Sequence, residues 1–337
     1  MKVMVVRSAN RPLVAEERPV PEPGPGEVRI KVHACGICHS DHFVTGALWP
    51  GLELPRVPGH EIAGVIDTVG EGVTQLAAGD RVGLGWHGGH DGTCKSCLSG
   101  HFMHCDAGRV TGISFDGGYG EYVCAPAVAV ARLADGMSFT DAAPLLCAGI
   151  TTFNALRNSG ARPGDLVGIQ GLGGLGHLGV QYARAMGFEV VAISRGSDKE
   201  EFAGRLGAHH YIDSTREDFV DAMQALGGAR VILATAPHAK SISGLFPGLG
   251  IEGNLMVVAA PFEPLEINPI DLISMARRVQ GWPSGTAADS TDAVAFAQQH
   301  GVRPMVERFP LDEAQAAFDR MMSGEVRFRA VLEIVPE

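Results

Sequence analysis

Residues 165–195, DLVGIQGLGGLGHLGVQYARAMGFEVVAISR, decide the fold. The stretch reads as a buried apolar strand, a glycine-rich turn, an amphipathic helix and a second buried strand. Within it Gly171, Gly173 and Gly176 match the spacing G-x-G-x-x-G. That spacing is common by itself; placed after a strand and opening a helix it is a dinucleotide-binding fingerprint. Glycine lets the backbone approach a pyrophosphate at the positive end of a helix, so Gly171, Gly173, Gly174, Leu175 and Gly176 are the candidate contacts. Downstream, EEFAGRLGAHHYID, ARVILATA, GNLMVVAA and RRVQGWPSG alternate helix with apolar strand, as a parallel sheet requires. A doubly wound Rossmann domain is expected over residues 149–284.

Upstream of it the periodicity is different. EVRIKVHA alternates apolar and polar residues, PVPEPGPG interrupts it, and EIAGVIDTVG, GDRVGLGW and GGYGEYVCAPAVAVARL follow as further short strands with glycine at their turns. This is the pattern of a small barrel-like β domain over residues 1–148. SFTDAAPLLCAGITTFNALRNSG carries a helix start signal at Ser138 or Thr140 and joins the two parts. The tail 285–337, with the helix DEAQAAFDRMM and the strand RAVLEIV, is expected to return to the first domain. The expected fold class is therefore α/β plus β, a β-rich domain with a doubly wound domain inserted.

The β-rich part holds the chemistry. From Cys35 to Glu61, CGICHSDHF through VPGHE, thiols, imidazoles, a hydroxyl and carboxylates crowd together. Cys38 and His60 are ligand types suited to zinc, and a catalytic zinc needs three protein ligands with one position open. Cys147, in the apolar run AAPLLCAGITT, is the best candidate for the third.

Composition bounds the rest. With 337 residues, 45% hydrophobic and 19% charged, the chain suits a globular protein of two domains. A formal charge of -11 argues against nucleic acid or an anionic membrane as partner. MKVMVVRSANRP is not a signal peptide, and no apolar run reaches membrane-spanning length. The cysteines number 7, an odd count clustered at 35–38 and 94–105, which points to metal ligands in a reducing, cytoplasmic setting.

CGICHSD, GHE and a distant Cys ahead of a glycine-rich turn resemble the zinc-dependent medium-chain alcohol dehydrogenases, in particular the bacterial and cinnamyl-alcohol-type aldehyde reductases. The resemblance runs over nearly the whole chain and implies a GroES-like catalytic domain. It implies Cys38, His60 and Cys147 as catalytic zinc ligands, Glu61 as a carboxylate able to approach the metal, and Asp41 as the partner of His60. It implies that Ser40 passes the alcohol proton toward the nicotinamide ribose, that Thr151 contacts the nicotinamide, and that His39 lies near the pyrophosphate. Trp49 and Trp86 take places that border the substrate pocket, favouring primary alcohols or aldehydes. One departure affects the proton path: the position of the usual relay histidine is Phe43, with His42 one step earlier.

Cys94, Cys97 and Cys105 follow the spacing of the family's structural zinc lobe, whose fourth cysteine is here Asp91. A carboxylate can ligate zinc, so Asp91 is the expected fourth ligand and His90 the substitute. The family also implies a homodimer or homotetramer. For the cofactor, the acidic residue of NAD-binding domains about twenty residues after the first glycine is replaced by Ser194, followed by Arg195 and, further on, Lys199. A guanidinium and an ammonium suit a 2′-phosphate, so NADP is expected, with NAD the alternative if Asp198 turns inward. The alternatives for function are a zinc-independent quinone-reductase-like enzyme and a non-catalytic nucleotide sensor on the same scaffold.

Overall fold

The computed structural model describes residues 1–336. They divide into two compact units, one comprising residues 1–150, 285–299 and 303–336, the other Thr151–Ser284 with His300–Val302.

The first unit is built on a seven-stranded sheet. Its long strand Glu27–Gly36 pairs antiparallel with Ile62–Val69, Tyr122–Pro126 and Arg329–Glu333. The alternation of EVRIKVHA decides which face is inward: Val28, Ile30, Val32 and Ala34 are fully buried, while the residues between them are not. Where this strand ends, the chain turns through Cys38 into the 3-10 turn His39–Asp41 and the short helix His42–Thr45. Ile62–Val69 begins directly after His60 and Glu61, so both flanks of the central strand pair deliver site residues to the same end.

Ser138 caps the helix Phe139–Pro144, its Oγ accepting the Asp141 N–H at 3.1 Å. The helix then widens into the π-helical segment Leu145–Gly149 before continuing as Ile150–Arg157. Such widened turns are rare and frequent at functional sites; Cys147 sits in this one, half-buried among the buried Leu145, Leu146 and Ala148.

The second unit carries a six-stranded, all-parallel sheet in the order His210–Asp213, Glu189–Ser194, Leu166–Gln170, Ala229–Ala234, Leu249–Val257, Arg278–Gly281. Leu166–Gln170 is buried along its whole length, as a strand covered on both faces must be. The strand order reverses between Leu166–Gln170 and Ala229–Ala234, and sheets of this kind bind ligands at the carboxyl ends of the strands there. The glycine-rich turn lies at that end, leading into the helix Gly176–Ala185. No helix among the described residues is long and apolar enough to cross a membrane.

Candidate active site

Cys38, His60, Glu61 and Cys147 each offer one ligand atom, and these atoms all lie within 4.8 Å of one another. Cys38 and Cys147 approach Sγ to Sγ at 3.8 Å. Asp41, 1% exposed, organises the group. Its Oδ1 accepts His60 Nδ1–H at 2.9 Å, and its Oδ2 accepts the Cys38 N–H and the Tyr119 hydroxyl, each at 2.9 Å. His60 Nδ1 is thereby occupied and Nε2 turned inward, where it is buried without a hydrogen-bond partner among the described residues. Glu61 Oε2 is likewise buried and unpartnered, while Oε1 pairs with the guanidinium of Arg329, which also donates to the Ile37 carbonyl at 3.1 Å.

An orphaned imidazole nitrogen and carboxylate oxygen beside two thiols are costly in a protein interior. A divalent metal with a taste for nitrogen and sulfur removes that cost, so the residues fit zinc. The electrostatics agree. The Cys38 thiol is held well below its ordinary value by the hydrogen bond from Cys147, against the cost of burial, with help from His60 and Arg329. The same bond, with burial, pushes Cys147 up. Burial opposes a charge on His60, but Asp41 and Cys38 outweigh it and push the imidazole well up. Burial pushes Glu61 up to about 7 in spite of Arg329.

An aromatic wall stands beside His60. Trp86 meets the His60 ring edge-on with centroids 4.9 Å apart; Trp49 and Trp86 lie 5.7 Å apart, and Phe43 packs 5.6 Å from Trp49 and 6.4 Å from Trp86. Phe43 thus joins Trp49 and Trp86, while His42 turns away with Nδ1 3.1 Å from the Thr45 hydroxyl. Ser40 is half-buried and His39 exposed in the turn after Cys38.

Asp91, Cys94, Cys97 and Cys105 form a second cluster, their ligand atoms also within 4.8 Å of one another. Asp91 Oδ1 accepts the Thr93 and Cys94 N–H groups at 2.7 and 2.9 Å, and these bonds, Cys94 first, hold its carboxyl well below the usual range. Burial and the neighbouring thiols push Cys97 up to about 12. His90 stands outside the cluster: its Nδ1 lies 3.2 Å from His87 Nε2 and its ring packs on Phe102 at 4.4 Å.

In the second unit, Gly171 takes a left-handed φ of +85°. A Cβ on Gly176 would strike the Gly171 carbonyl, whereas one on Gly173 would meet open space. The turn is therefore bare on its outer side, where a phosphate could approach the backbone. Thr151 is buried at the start of this unit; Ser194 is buried and Arg195 exposed at the end of the second strand, with Lys199 half-buried.

Residues 24–135 match the alcohol dehydrogenase GroES-like domain and residues 174–299 the zinc-binding dehydrogenase domain. Over 331 residues the chain is 49% identical to alcohol dehydrogenase patD of Penicillium expansum, covering 98% of this chain and 97% of that protein. The chain belongs to the zinc-dependent medium-chain alcohol dehydrogenases. Among solved structures, a cinnamyl alcohol dehydrogenase of Sorghum bicolor superposes with a TM-score of 0.89 at 34% identity, covering 98% of this chain and 97% of that one. A Helicobacter pylori cinnamyl alcohol dehydrogenase, solved in complex with NADP(H), gives 0.88 at 28% identity, covering 98% and 97%. This dehydrogenase is thus an oxidoreductase of alcohols and aldehydes that uses zinc and a nicotinamide cofactor, on a GroES-like domain joined to a Rossmann domain. The quinone-reductase-like and sensor readings are not favoured.

Sequence reasoning passed over two members of the site. Tyr119, fully buried, was visible only as one aromatic in GGYGEY, and Arg329 only as the first residue of RAVLEIV. Neither has a motif. For Tyr119 a signal did exist in Gly59, whose φ is +102°: a Cβ there would strike the Tyr119 ring, so the glycine of GHE admits the tyrosine.

Proposed function

We propose that this dehydrogenase interconverts primary alcohols and aldehydes with NADP, with Cys38, His60 and Cys147 holding the catalytic zinc and Asp91, Cys94, Cys97 and Cys105 a structural one. The observation that carries the reading is the buried, unpartnered His60 Nε2 in reach of both thiols. Zinc bound there supplies a Lewis acid that polarises the substrate oxygen, and the nicotinamide exchanges the hydride.

The chain's own residues do the rest. Asp41 fixes the His60 tautomer, and Glu61, balanced by Arg329, is a nearby carboxylate that can approach the metal. Ser40 takes the alcohol proton and passes it through the nicotinamide ribose to water, with His39 as an alternative acceptor. Phe43 cannot carry a proton, and His42 is engaged by Thr45. The three aromatic rings favour flat or unbranched substrates over bulky secondary alcohols. Thr151 contacts the nicotinamide, and the glycine-rich turn receives the pyrophosphate.

Arg195 and Lys199 support NADP, as does the NADP(H) complex of the H. pylori relative. Two charge-assisted contacts of roughly 1.5 to 3 kcal/mol each should give at least about tenfold selectivity. The test is a panel of primary and secondary alcohols and aldehydes assayed with each cofactor. Higher kcat/KM with NADP and with primary substrates is expected; higher kcat/KM with NAD would overturn the cofactor assignment, and higher values with bulky secondary alcohols the pocket. A homo-oligomer is also proposed, through the edge strand Arg278–Gly281 of the parallel sheet.

A further inference from the structure

Strands Glu189–Ser194 and His210–Asp213 run side by side and end with Ser194 opposite Asp213. The loop leaving Ser194 carries Arg195, Gly196, Ser197 and Asp198 before the helix Glu200–Leu206, and its backbone is held from two directions. Asp213 Oδ1 accepts the Gly196 N–H at 2.8 Å. The Tyr211 hydroxyl donates to the Gly196 carbonyl at 2.5 Å. Asp213 is only 6% exposed, and the same Oδ1 also accepts the N–H and hydroxyl of Thr215, at 3.0 and 2.7 Å. Its Oδ2 lies 3.6 Å from Arg216 Nε. One residue earlier, the Ser194 carbonyl accepts the Ser214 N–H at 3.0 Å and its hydroxyl at 3.3 Å.

The held residue has to be glycine. Its φ is +76°, and a Cβ would lie 2.8 Å from Asp198 Oδ1. So the backbone on both sides of Arg195 is tied to the third strand and the turn after it, while the Arg195 side chain stays exposed. Asp213 is also the acid beside the strand end where an NAD-binding domain carries its ribose-binding carboxylate. Its Oδ1 is already committed to three protein donors.

We infer that Asp213 and Tyr211 are positioning residues for cofactor choice: by clamping Gly196 from both sides they preorganise Arg195 to meet the group on the adenosine ribose. The physical basis is entropic. A guanidinium on a fixed backbone loses less freedom on binding than one on a mobile loop, and the difference appears as affinity for the ligand that uses it. The direction of the effect rests on the NADP assignment proposed above; the clamp itself does not.

The test is Asp213→Ala, Tyr211→Phe and the conservative Asp213→Asn, in the full-length, zinc-loaded enzyme. NADPH and NADH dissociation constants are read by nucleotide fluorescence, with kcat and KM for each oxidised cofactor. Asp213→Ala should raise KM for NADP about tenfold, leave kcat within about twofold, and lower the NADP-to-NAD ratio at least about fivefold. Tyr211→Phe should lower the ratio by about threefold, and keeps the inference testable if Asp213→Ala does not fold. Asp213→Asn, which retains an acceptor oxygen, should recover most of the ratio. Equal weakening of both cofactors would mark a purely structural role and overturn the inference, as would an unchanged ratio. If the wild type prefers NAD, the NADP assignment fails by itself; the clamp then stands if Asp213→Ala erodes that preference and falls if it does not.

Discussion

At the residue scale, Asp41 does the most with the fewest atoms, joining His60, the Cys38 backbone and Tyr119 through one carboxylate. In Asp41→Asn an amide N–H₂ must face one of those donors, leaving a buried group unsatisfied at a cost of about 1–3 kcal/mol. Partners of this kind typically alter metal affinity by about 10–100-fold, so Asp41→Asn should lose zinc to a chelator at correspondingly lower concentration. Unchanged competition curves would contradict that role. His87 gives a pH signature of its own. Burial, with His90 adding to it, holds its imidazole down at about 4 against an ordinary 6.5. The unfolded chain therefore binds the extra proton between those values. The stabilisation is complete above about pH 6.5, declines as pH falls toward 4 and levels off below it, by up to about 3 kcal/mol. Melting temperature followed against pH should fall less steeply over that window in His87→Leu than in the wild type, and parallel curves would refute the assignment.

At the element scale, the lobe carrying Cys94, Cys97 and Cys105 has little regular structure of its own, only the single helical turns Lys95–Leu98 and Phe102–His104. Such a segment depends on its metal for order, since metal binding contributes folding free energy. Asp91→Ala should lower the melting temperature and remove one zinc per chain while slowing turnover far less; an unchanged melting temperature with unchanged zinc would exclude Asp91 as a ligand. What was legible in the sequence follows a physical line. The parallel strands were readable because burial on both faces leaves continuous apolar runs such as LVGIQ, and the β-rich domain because EVRIKVHA alternates. The gathering of Cys38, His60 and Cys147 was readable because the proposed ligand chemistry restricts residue type. The π-helical widening at Leu145–Gly149 was not, because nothing in LLCAG distinguishes it from an ordinary helical turn. Nor was the Arg329 pairing with Glu61, since the partners stand 268 residues apart and only strand register brings them together.

At the scale of the whole molecule, the edge strand Arg278–Gly281 and its surroundings bear apolar side chains with no cover in a single chain: Ile251 is 72% exposed, Ile270 70%, Ile273 80% and Val279 39%. An open edge flanked by such residues invites pairing with a second copy. Light scattering at micromolar concentration should give a dimer or tetramer, with Val279→Lys shifting it toward monomer; a monomeric wild type would contradict the proposal. The proposed activity depends on a catalytic metal held by Cys38, His60 and Cys147, which the fold gathers from distant parts of the chain. The direct measurement is zinc content by elemental analysis on wild type and Cys147→Ala, paired with NADPH binding by fluorescence. Two zinc ions per wild-type chain, one in Cys147→Ala, retained NADPH affinity and turnover reduced more than tenfold are expected. A Cys147→Ala protein that keeps both zinc ions, or a tenth of the normal rate, would contradict it.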